Sequence, residues 1–442
     1  MNSVSLSDIE FPSAAVSVSQ LLSSLRRSAL SVTNRLHSIE ADARFVRDVA
    51  DHYQLPLIAN ERCGSWYIDP EQKAGSAYFK STDGHTGIWN FSFRRLNLQI
   101  LAIARKHGGC IIVDSTRRGK LMPDALSKTV PIWCAVINRA LFPTQSAYHP
   151  VQFPPNFLGA SEEAQIENRI DSFVKTFKEL KLDMDQLRND LGQPIRIAWA
   201  NQTYFHPTTL VKGHGYNLFV LCSASRRVRG AEASEGGYIQ GAGDDSEGWS
   251  HGLTAPVFWA NKDALFATDE SDLPDVISEL MTKHAGSNSS AGADQRQASG
   301  FLIRPSLNLY ICQSRPNTKP PELSTPKRLN LGCGSHKIGS RDLRTSLEKV
   351  KASAEKHLLP NPSQSLLVTC ETGKDLSVGV LLTIICLFYD DSGKLVGAQP
   401  DVYMDKQFIR QRLAWIVTSK PDANPSRATL QSVNSFLLQR PD

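Results

Sequence analysis

Residues 365–387 read SLLVTCETGKDLSVGVLLTIICL, and this stretch decides the fold of the C-terminal part of the chain. Apolar residues at 366–368 have the length of a strand, a loop with one glycine follows, and a second apolar run of helix length begins at 376. The order predicts a buried strand, a tight loop and a helix that starts at the loop. Free amides and the positive end of the helix dipole converge there, and Lys374 adds a full charge. The loop is therefore predicted to bind phosphate.

The spacing in this loop resembles the signature of cysteine-dependent phosphatases, in which Cys is followed by five residues, Arg, and then Ser or Thr. Cys370, Gly373 and Ser377 stand in register with that signature, but Leu376 occupies the arginine position. The arginine fork holds the phosphoryl group in the transition state, so its absence favours a phosphate cradle and disfavours hydrolysis by Cys370. On spacing alone, an ordinary buried strand, turn and helix with a small Cys at its corner is the alternative.

Composition places the chain among globular proteins, with 442 residues, 41% hydrophobic and 21% charged. That length predicts about two or three domains. Residues 1–20 lack the basic and apolar segments of a signal peptide, and no apolar run has membrane-spanning length, so we expect a cytoplasmic location without membrane contact. The cysteines are scattered without a Cys-x-x-Cys pair, which indicates reduced thiols and no structural zinc. They are Cys63, Cys110, Cys134, Cys222, Cys312, Cys333, Cys370 and Cys386.

Positive charge is concentrated in the C-terminal part. The whole chain has a formal charge of +5, whereas residues 300–442 contain 19 Lys and Arg against 12 Asp and Glu. This surplus is consistent with an anionic partner, although scattered surface lysines also account for it.

A second strand, loop and helix is predicted at Cys110–Val113, Asp114–Lys120 and Pro123–Leu141, and another helix at Arg94–Lys106. In the loop, Asp114 stands where the cysteine of the first motif stands, and Lys120 stands where an arginine would. Its glycine and cations predict an anion or phosphodiester contact. A loop with basic surface residues and no ligand is the alternative.

The segment from Gly236 to Trp249 combines glycines with carboxylates. Asp244 and Asp245 are oxygen ligands of the kind that magnesium prefers, so a metal contact is predicted here. An exposed, turn-rich loop is the alternative.

Residues His284–Gly300 are rich in Ser, Ala, Gly and Gln and read as a linker. We therefore expect an N-terminal domain over residues 1–290 and a C-terminal domain over residues 300–442. Strands that alternate with helices predict an α/β fold for the C-terminal domain and α+β for the whole chain.

The string Leu329–Ser335 is similar to the first cofactor-binding motif of methyltransferases. His336 replaces the final glycine, and no second strand with an acidic end follows about 20 residues later. A methyltransferase that uses S-adenosylmethionine is therefore only an alternative.

Most of the chain resembles the fungal and plant initiator-tRNA phosphoribosyl transferases. The strings that carry this resemblance are Ile112–Lys120, Pro123–Leu141, Tyr238–Thr254, Cys370–Ser377 and Pro425–Phe436. The resemblance implies a pentosyltransferase that moves 5-phosphoribose from phosphoribosyl pyrophosphate to the 2′-hydroxyl of T-stem adenosine 64 in initiator methionine tRNA, which excludes that tRNA from elongation. It also implies a family-specific N-terminal domain and a C-terminal α/β domain similar to dual-specificity phosphatases. No obligate protein partner is expected.

The usual phosphoribosyltransferase signature is missing, since Val113–Thr116 is only a fragment of it. Two phosphate-like loops therefore remain candidates for the donor. We expect catalytic roles for Cys370, Lys374 and Asp375, with Asp375 as general base or metal contact, or alternatively as an ordinary N-terminal helix acid. Magnesium is expected because pyrophosphate leaving groups commonly need it.

The remaining predicted contacts fall into three groups. Substrate phosphate is expected at Glu371, Thr372, Gly373, Lys374, Ser377, Asp114, Ser115 and Thr116. Transfer RNA, which is read through its phosphates and 2′-hydroxyls, is expected at Arg94, Arg95, Arg117, Arg118, Lys120, Arg410 and Arg412. Metal is expected at Asp244 and Asp245. Two further alternatives remain open, a catalytically inactive phosphatase-like module that binds RNA or phosphate, and a residual hydrolase that uses Cys370.

Overall fold

The computed structural model describes residues 30–203, 215–228, 234–244, 246–287, 301–306, 308–313, 327–329, 336–360, 364–397 and 404–438. Within these ranges the strands form two main sheets, and helices pack on both. The predicted α/β class is therefore confirmed. No helix of the described ranges is long and apolar enough to cross a membrane.

The first sheet has five parallel strands in the order β2-β1-β3-β5-β4. β2 lies on one side of β1. On the other side of β1 lie β3, β5 and β4 in that order. The carboxyl ends of β1 and β3 therefore flank the point at which the strand order reverses, which is where open parallel sheets bind ligands. The strands are β1 (Leu57–Asn60), β2 (Lys73–Ala77), β3 (Gly109–Asp114), β4 (Ile195–Asn201) and β5 (Asn217–Ser223).

Helices and a short antiparallel ribbon surround this sheet. The ribbon consists of β6 (Ser234–Glu235) and β7 (Tyr238–Ile239). The helices are α1 (Val32–Tyr53), α2 (Gln99–His107), α3 (Val130–Leu141), α4 (Ala160–Glu167), α5 (Ile170–Lys178), α6 (Met184–Leu191), α7 (Ala255–Phe266) and α8 (Leu273–Ser287). Most of the predicted linker at 284–300 lies outside the described residues, so the domain boundaries stay predictions.

The helix predicted over Arg94–Lys106 begins only at Gln99. Asn97 has a φ of 55°, and its side-chain carbonyl accepts a 2.8 Å hydrogen bond from the backbone amide of Tyr78. A residue in the left-handed region interrupts a right-handed helix. Arg94 and Arg95 consequently lie in a loop beside the end of β2.

The second sheet has the order β10-β11-β9-β8, with β11 parallel to both of its neighbours and β8 antiparallel to β9. Its strands are β8 (Phe301–Leu302), β9 (Leu309–Gln313), β10 (Lys327–Leu329) and β11 (Leu366–Cys370). The helices of this half are α9 (His336–Leu358), α10 (Leu376–Phe388), α11 (Lys406–Ser419) and α12 (Arg427–Leu437).

The strand, loop and helix predicted at 365–387 are confirmed as β11, residues 371–375 and α10. Almost every side chain of α10 is buried, because α9, α11, α12 and the sheet all pack on it. A helix that is apolar on all faces requires such an environment. Its N-terminus and the carboxyl end of β11 are thereby held at one point.

The two halves contact each other through side chains. Gln411 Nε2 donates a 2.7 Å hydrogen bond to the carbonyl of Glu179, and Lys181 forms a 2.9 Å ion pair with Asp391. Arg95 Nε also donates to Asn424 Oδ1 over 3.1 Å. The last contact joins the loop after β2 to the residues that precede α12.

Candidate functional site

The loop at residues 371–375 requires glycine at its centre. Gly373 has a φ of 64°, and a Cβ atom there would lie 2.6 Å from the backbone nitrogen of Gln313. The left-handed conformation and the contact with β9 both exclude a side chain. The loop thus curls tightly over the end of the second sheet.

Cys370 lies at the base of this loop and is half-buried. Its Sγ lies 3.1 Å from Ser377 Oγ and 3.7 Å from Thr372 Oγ1, and the amides of Asp375 and Ser377 also point to it. Burial opposes ionisation of the thiol, but these hydrogen bonds outweigh it and lower the pKa of Cys370 below its usual value. The loop therefore stabilises negative charge, as its sequence predicts.

The side chain at the arginine position supplies no cation. Leu376 packs against the apolar core of the second half. Glu371 and Thr372 are exposed at the mouth of the loop, and Thr372 Oγ1 accepts a 3.2 Å hydrogen bond from the amide of Lys374. The cradle therefore resembles a phosphatase loop in shape but lacks the fork that would hold a transferring phosphoryl group.

Lys374 is the cation within this loop. Its side chain is 46% exposed and forms a 3.3 Å ion pair with Asp422, which Lys420 also contacts. The carbonyl of Lys374 accepts a 2.8 Å hydrogen bond from the amide of Asn424. Because Asn424 is also the partner of Arg95, the loop and the first half are connected through one residue.

Asp375 faces away from the mouth of the loop and towards α12. Its Oδ1 accepts hydrogen bonds from the amide of Ser426 over 2.8 Å and from Thr429 Oγ1 over 2.6 Å. Ser426 is the N-cap of α12. This carboxylate therefore anchors the start of a neighbouring helix.

The loop after β3 is closed by hydrogen bonds to its own residues and to neighbouring side chains. The amide of Ser115 donates to Asp114 Oδ1 over 2.8 Å, that of Thr116 donates to Ser225 Oγ over 3.2 Å, and that of Gly119 donates to Gln240 Oε1 over 3.0 Å. Asp114 and Ser115 are 0% exposed and Thr116 is 5% exposed. We correct the prediction accordingly, because these three residues offer no free amide or surface to a substrate phosphate.

Arg62 bridges two buried carboxylates at the carboxyl ends of β1 and β3. It donates to Asp114 Oδ1 over 2.9 Å and to Asp244 Oδ2 over 3.0 Å. Asn60 Nδ2 donates to the other Asp114 oxygen over 2.8 Å, and Cys63 Sγ lies 3.1 Å from Oδ1. Burial raises the pKa of Asp244, and Arg62 opposes that shift. Arg117, 3.6 Å from Asp244, supplies the second positive charge, so two guanidinium groups face the two carboxylates.

This arrangement does not fit a magnesium site. Asp244 faces Arg62 and, over 3.6 Å, Arg117, so its oxygens already have cationic partners. Asp245 lies outside the described residues. Within the described ranges no three His, Cys, Asp or Glu side chains converge as metal ligands. The expectation of magnesium stays a prediction.

The arginines and lysines predicted to contact tRNA occupy different environments. Arg118 is exposed and Lys120 is 59% exposed, so their prediction stands untested. Arg410 stacks on Phe93 at a centroid distance of 5.0 Å. Arg412 is only 2% exposed and donates a 2.9 Å hydrogen bond to Asp391. We remove Arg412 from the candidates, since a buried guanidinium cannot reach an RNA phosphate.

The structure also forms a cavity that the sequence analysis missed. It has a volume of about 380 Å³ and opens at the carboxyl ends of β1 and β2. Its polar lining includes Glu61, Arg62, Tyr78, Lys80 and Arg95. The signal for it was available in the sequence, because residues that directly follow parallel strands share one edge of the sheet.

The chain matches two family models along its length. The model described as the Rit1 N-terminal domain matches residues 25–282, and that described as the Rit1 DUSP-like domain matches residues 327–437. An uncharacterised protein of Schizosaccharomyces pombe is 36% identical over 432 residues, which cover 92% of this chain and 94% of the relative. The tRNA A64-2′-O-ribosylphosphate transferase of Saccharomyces cerevisiae is 32% identical over 499 residues, which cover 96% of this chain and 95% of the relative. No solved structure matches with comparable significance.

Proposed function

This chain belongs to the Rit1 family, and we propose that it transfers 5-phosphoribose from phosphoribosyl pyrophosphate to the 2′-hydroxyl of adenosine 64 in initiator methionine tRNA. The observation that carries the proposal is the 32% identity to a tRNA A64-2′-O-ribosylphosphate transferase across 96% of this chain. The matches to both Rit1 domains support it. A cytoplasmic location accords with a tRNA substrate and stays a prediction.

The reaction is a displacement at the anomeric carbon of the donor ribose. The bond from that carbon to pyrophosphate breaks, the electron pair leaves with the pyrophosphate, and a bond to the tRNA 2′-oxygen forms. The hydroxyl proton must leave at the same time. The enzyme must therefore neutralise phosphate charge, accept a proton and position an RNA stem.

We assign the loop at 370–377 to a phosphate of the donor. Its amides at Asp375 and Ser377 already stabilise negative charge at Cys370 Sγ, and the N-terminus of α10 adds to the favourable potential. Lys374 lies in the loop, and its ammonium group can exchange the ion pair with Asp422 for one with a phosphate oxygen. The loop thus binds the donor and performs no covalent step.

The test of the function uses purified protein, phosphoribosyl pyrophosphate, magnesium and unmodified initiator tRNA. We expect mass spectrometry of nuclease fragments to show one added phosphoribosyl unit on the T-stem fragment that contains adenosine 64. An elongator tRNA serves as the control substrate. Bound tRNA without any gain in mass would instead support the inactive binding module.

A residual hydrolase is the second candidate, because the lowered pKa of Cys370 favours a nucleophilic thiolate. The two functions predict different effects of the same substitutions. Under the transferase proposal, Lys374→Ala raises the KM for the donor about fivefold, since a partly exposed charge is lost, whereas Cys370→Ser keeps most of the transfer activity. Steady-state kinetics on tRNA measures both. A phosphocysteine trapped on Cys370, or loss of all activity in Cys370→Ser, would favour the hydrolase.

Asp375 is expected to position α12 and not to act as the general base. Asp375→Asn retains the oxygen that accepts from Ser426 and Thr429, so transfer activity should stay within about threefold of the wild type. Asp375→Ala loses both hydrogen bonds and should lower the free energy of unfolding by about 1–3 kcal/mol. Urea unfolding and kcat of the two variants test this. A hundredfold loss of kcat in Asp375→Asn at unchanged stability would instead identify a general base.

A further inference from the structure

The cavity at the ends of β1 and β2 lies beside the point at which the strand order of the first sheet reverses. The reversal point itself, between β1 and β3, is the usual ligand site of an open parallel sheet, and the cavity opens next to it at β1 and β2. A volume of about 380 Å³ is within the range of small-molecule sites. Nothing described above assigns a ligand to it.

Two cations, Lys80 and Arg95, line this cavity, and a third, Arg94, lies within electrostatic range of both. Among the residues that the structure describes, neither Lys80 nor the neighbouring Arg94 forms an ion pair or a side-chain hydrogen bond. Arg95 stacks on the ring of Tyr78 at 5.5 Å and donates to the neutral amide of Asn424. Burial lowers the pKa of Lys80, and the charges of Arg95 and Arg94 lower it further. Such crowding is unfavourable unless an anion binds among these side chains.

Neutral hydrogen-bond donors complete the lining. Tyr78, Ser81 and Thr82 line the cavity, and their hydroxyls form no hydrogen bond within the described part of the chain. Burial, followed by the negative charges of Glu61 and Asp422, raises the pKa of Tyr78 to about 12, so its hydroxyl stays protonated. Hydroxyl donors beside cations are the groups that bind phosphate oxygens.

The acidic groups nearby do not cancel this charge. Glu61 is paired with Lys73 Nζ over 2.7 Å, and the two carboxylates of Asp114 and Asp244 are offset by the two guanidinium groups of Arg62 and Arg117. Asp83 lies within electrostatic range of Lys80, Arg94 and Arg95 and forms no ion pair with Lys80, but a single carboxylate does not offset three cations. A net positive potential therefore remains at Lys80, Arg94 and Arg95.

We propose that this cavity binds the pyrophosphate group of the phosphoribosyl donor, with Lys80, Arg94 and Arg95 as its cations. This assignment rests on the proposed function. When the bond between the anomeric carbon and pyrophosphate breaks, the electron pair goes to the leaving oxygen, and these cations stabilise the added charge. Arg95, which lines the cavity, donates to Asn424, and the amide of Asn424 donates to the carbonyl of Lys374. The cavity is therefore connected through hydrogen bonds to the Cys370 loop, to which we assigned another phosphate of the donor.

The test measures binding of inorganic pyrophosphate to the full-length protein by calorimetry, without tRNA, together with steady-state kinetics. Lys80→Ala and Arg94→Ala are each expected to weaken pyrophosphate binding, and to raise the KM for the donor, about 10- to 100-fold. The KM for tRNA should change less than about twofold. Lys106→Ala, which removes an exposed lysine without an ion pair on α2, is the control and should leave all these constants unchanged.

The thermal stability of the variants distinguishes a role in donor binding from a purely structural role of Lys80 and Arg94. Removing Lys80 or Arg94 relieves repulsion between cations, so the ligand-free variants should melt at or above the temperature of the wild type. Donor constants equal to those of the wild type would overturn the proposal. So would a loss confined to the affinity for tRNA, which would instead identify a site for RNA phosphodiesters.

The outcomes also distinguish this proposal from the proposed function. Transfer by the wild type combined with donor binding that is independent of Lys80 rejects the cavity and retains the function. Absence of transfer, despite pyrophosphate binding that requires Lys80, rejects the function and with it the assignment to a donor.

Discussion

Arg62→Met is expected to lower the free energy of unfolding by about 3–5 kcal/mol. Asp114 is 0% exposed and Asp244 is 3% exposed, and both lie within hydrogen-bond distance of the Arg62 guanidinium. Removal of the arginine leaves two buried carboxylates that repel each other and have lost their main cation. Methionine retains the aliphatic part of the arginine side chain, so the effect reports the loss of the guanidinium group with its charge and hydrogen bonds. Chemical unfolding at pH 7 measures it.

A matched control is available on the same carboxylate. Arg117 lies 3.6 Å from Asp244, and its side chain is 38% exposed, so Arg117→Met should cost less than about 1 kcal/mol. Asp244→Asn in the Arg62→Met background should restore part of the lost stability, because it removes one uncompensated charge. If Arg62→Met is no more destabilising than Arg117→Met, the two carboxylates do not depend on this arginine.

A loss of stability between pH 6 and pH 8 is expected to depend on Asp42. This residue of α1 is 0% exposed and accepts hydrogen bonds from Tyr238 and Gln202, both over 2.8 Å. Burial raises the pKa of Asp42 to about 8, against the opposing effects of Tyr238, Gln202 and Arg226.

The sign of the effect follows from the two states. The unfolded chain releases the Asp42 proton near pH 4, whereas the folded chain keeps it until about pH 8. The contribution to stability is therefore complete below the unfolded pKa, falls by about 1.4 kcal/mol per pH unit, and is lost as the pH passes the folded pKa.

The variant Asp42→Asn tests this explanation. The amide has the size of the carboxyl group and no charge, so the fall in stability from pH 6 to pH 8 should largely disappear. At pH 8.5 the variant should be more stable than the wild type by about 2 kcal/mol or more. Asp48→Asn, at an exposed position of the same helix, is the control and should leave the pH dependence unchanged. An unaltered slope in Asp42→Asn would show that another group titrates in this range.

Local patterns identified the strand, loop and helix around Cys370 correctly. The three elements succeed one another within 23 residues, although Gln313 and Asn424 also contact the loop. Gly373 has the backbone conformation that only glycine adopts easily, and the register of Ser377 with Cys370 follows from the first turn of the helix. The same reasoning located β3 and the helix after it.

Local sequence patterns predicted the roles of individual charged side chains poorly. Arg412 belongs to a basic run in the sequence, yet α11 turns it into the core, and Asp114 begins a phosphate-like loop whose amides are used internally. Asp375 follows the cradle, yet its acceptor oxygen is directed to Ser426, 51 residues later. Each outcome depends on partners far along the chain.

The sequence alone therefore determined the α/β class, the phosphate-like loop and the family, because these depend on short-range periodicity, turn chemistry and long matching strings. Only the tertiary structure decided which charges pair and which remain free. Lys80 follows β2 and Arg95 lies 15 residues later, while Asn424 comes from the other half of the chain, and they meet because parallel strands end at one edge and the second half packs against it. Burial and distance, which no linear pattern contains, set the charge balance of the cavity at the ends of β1 and β2.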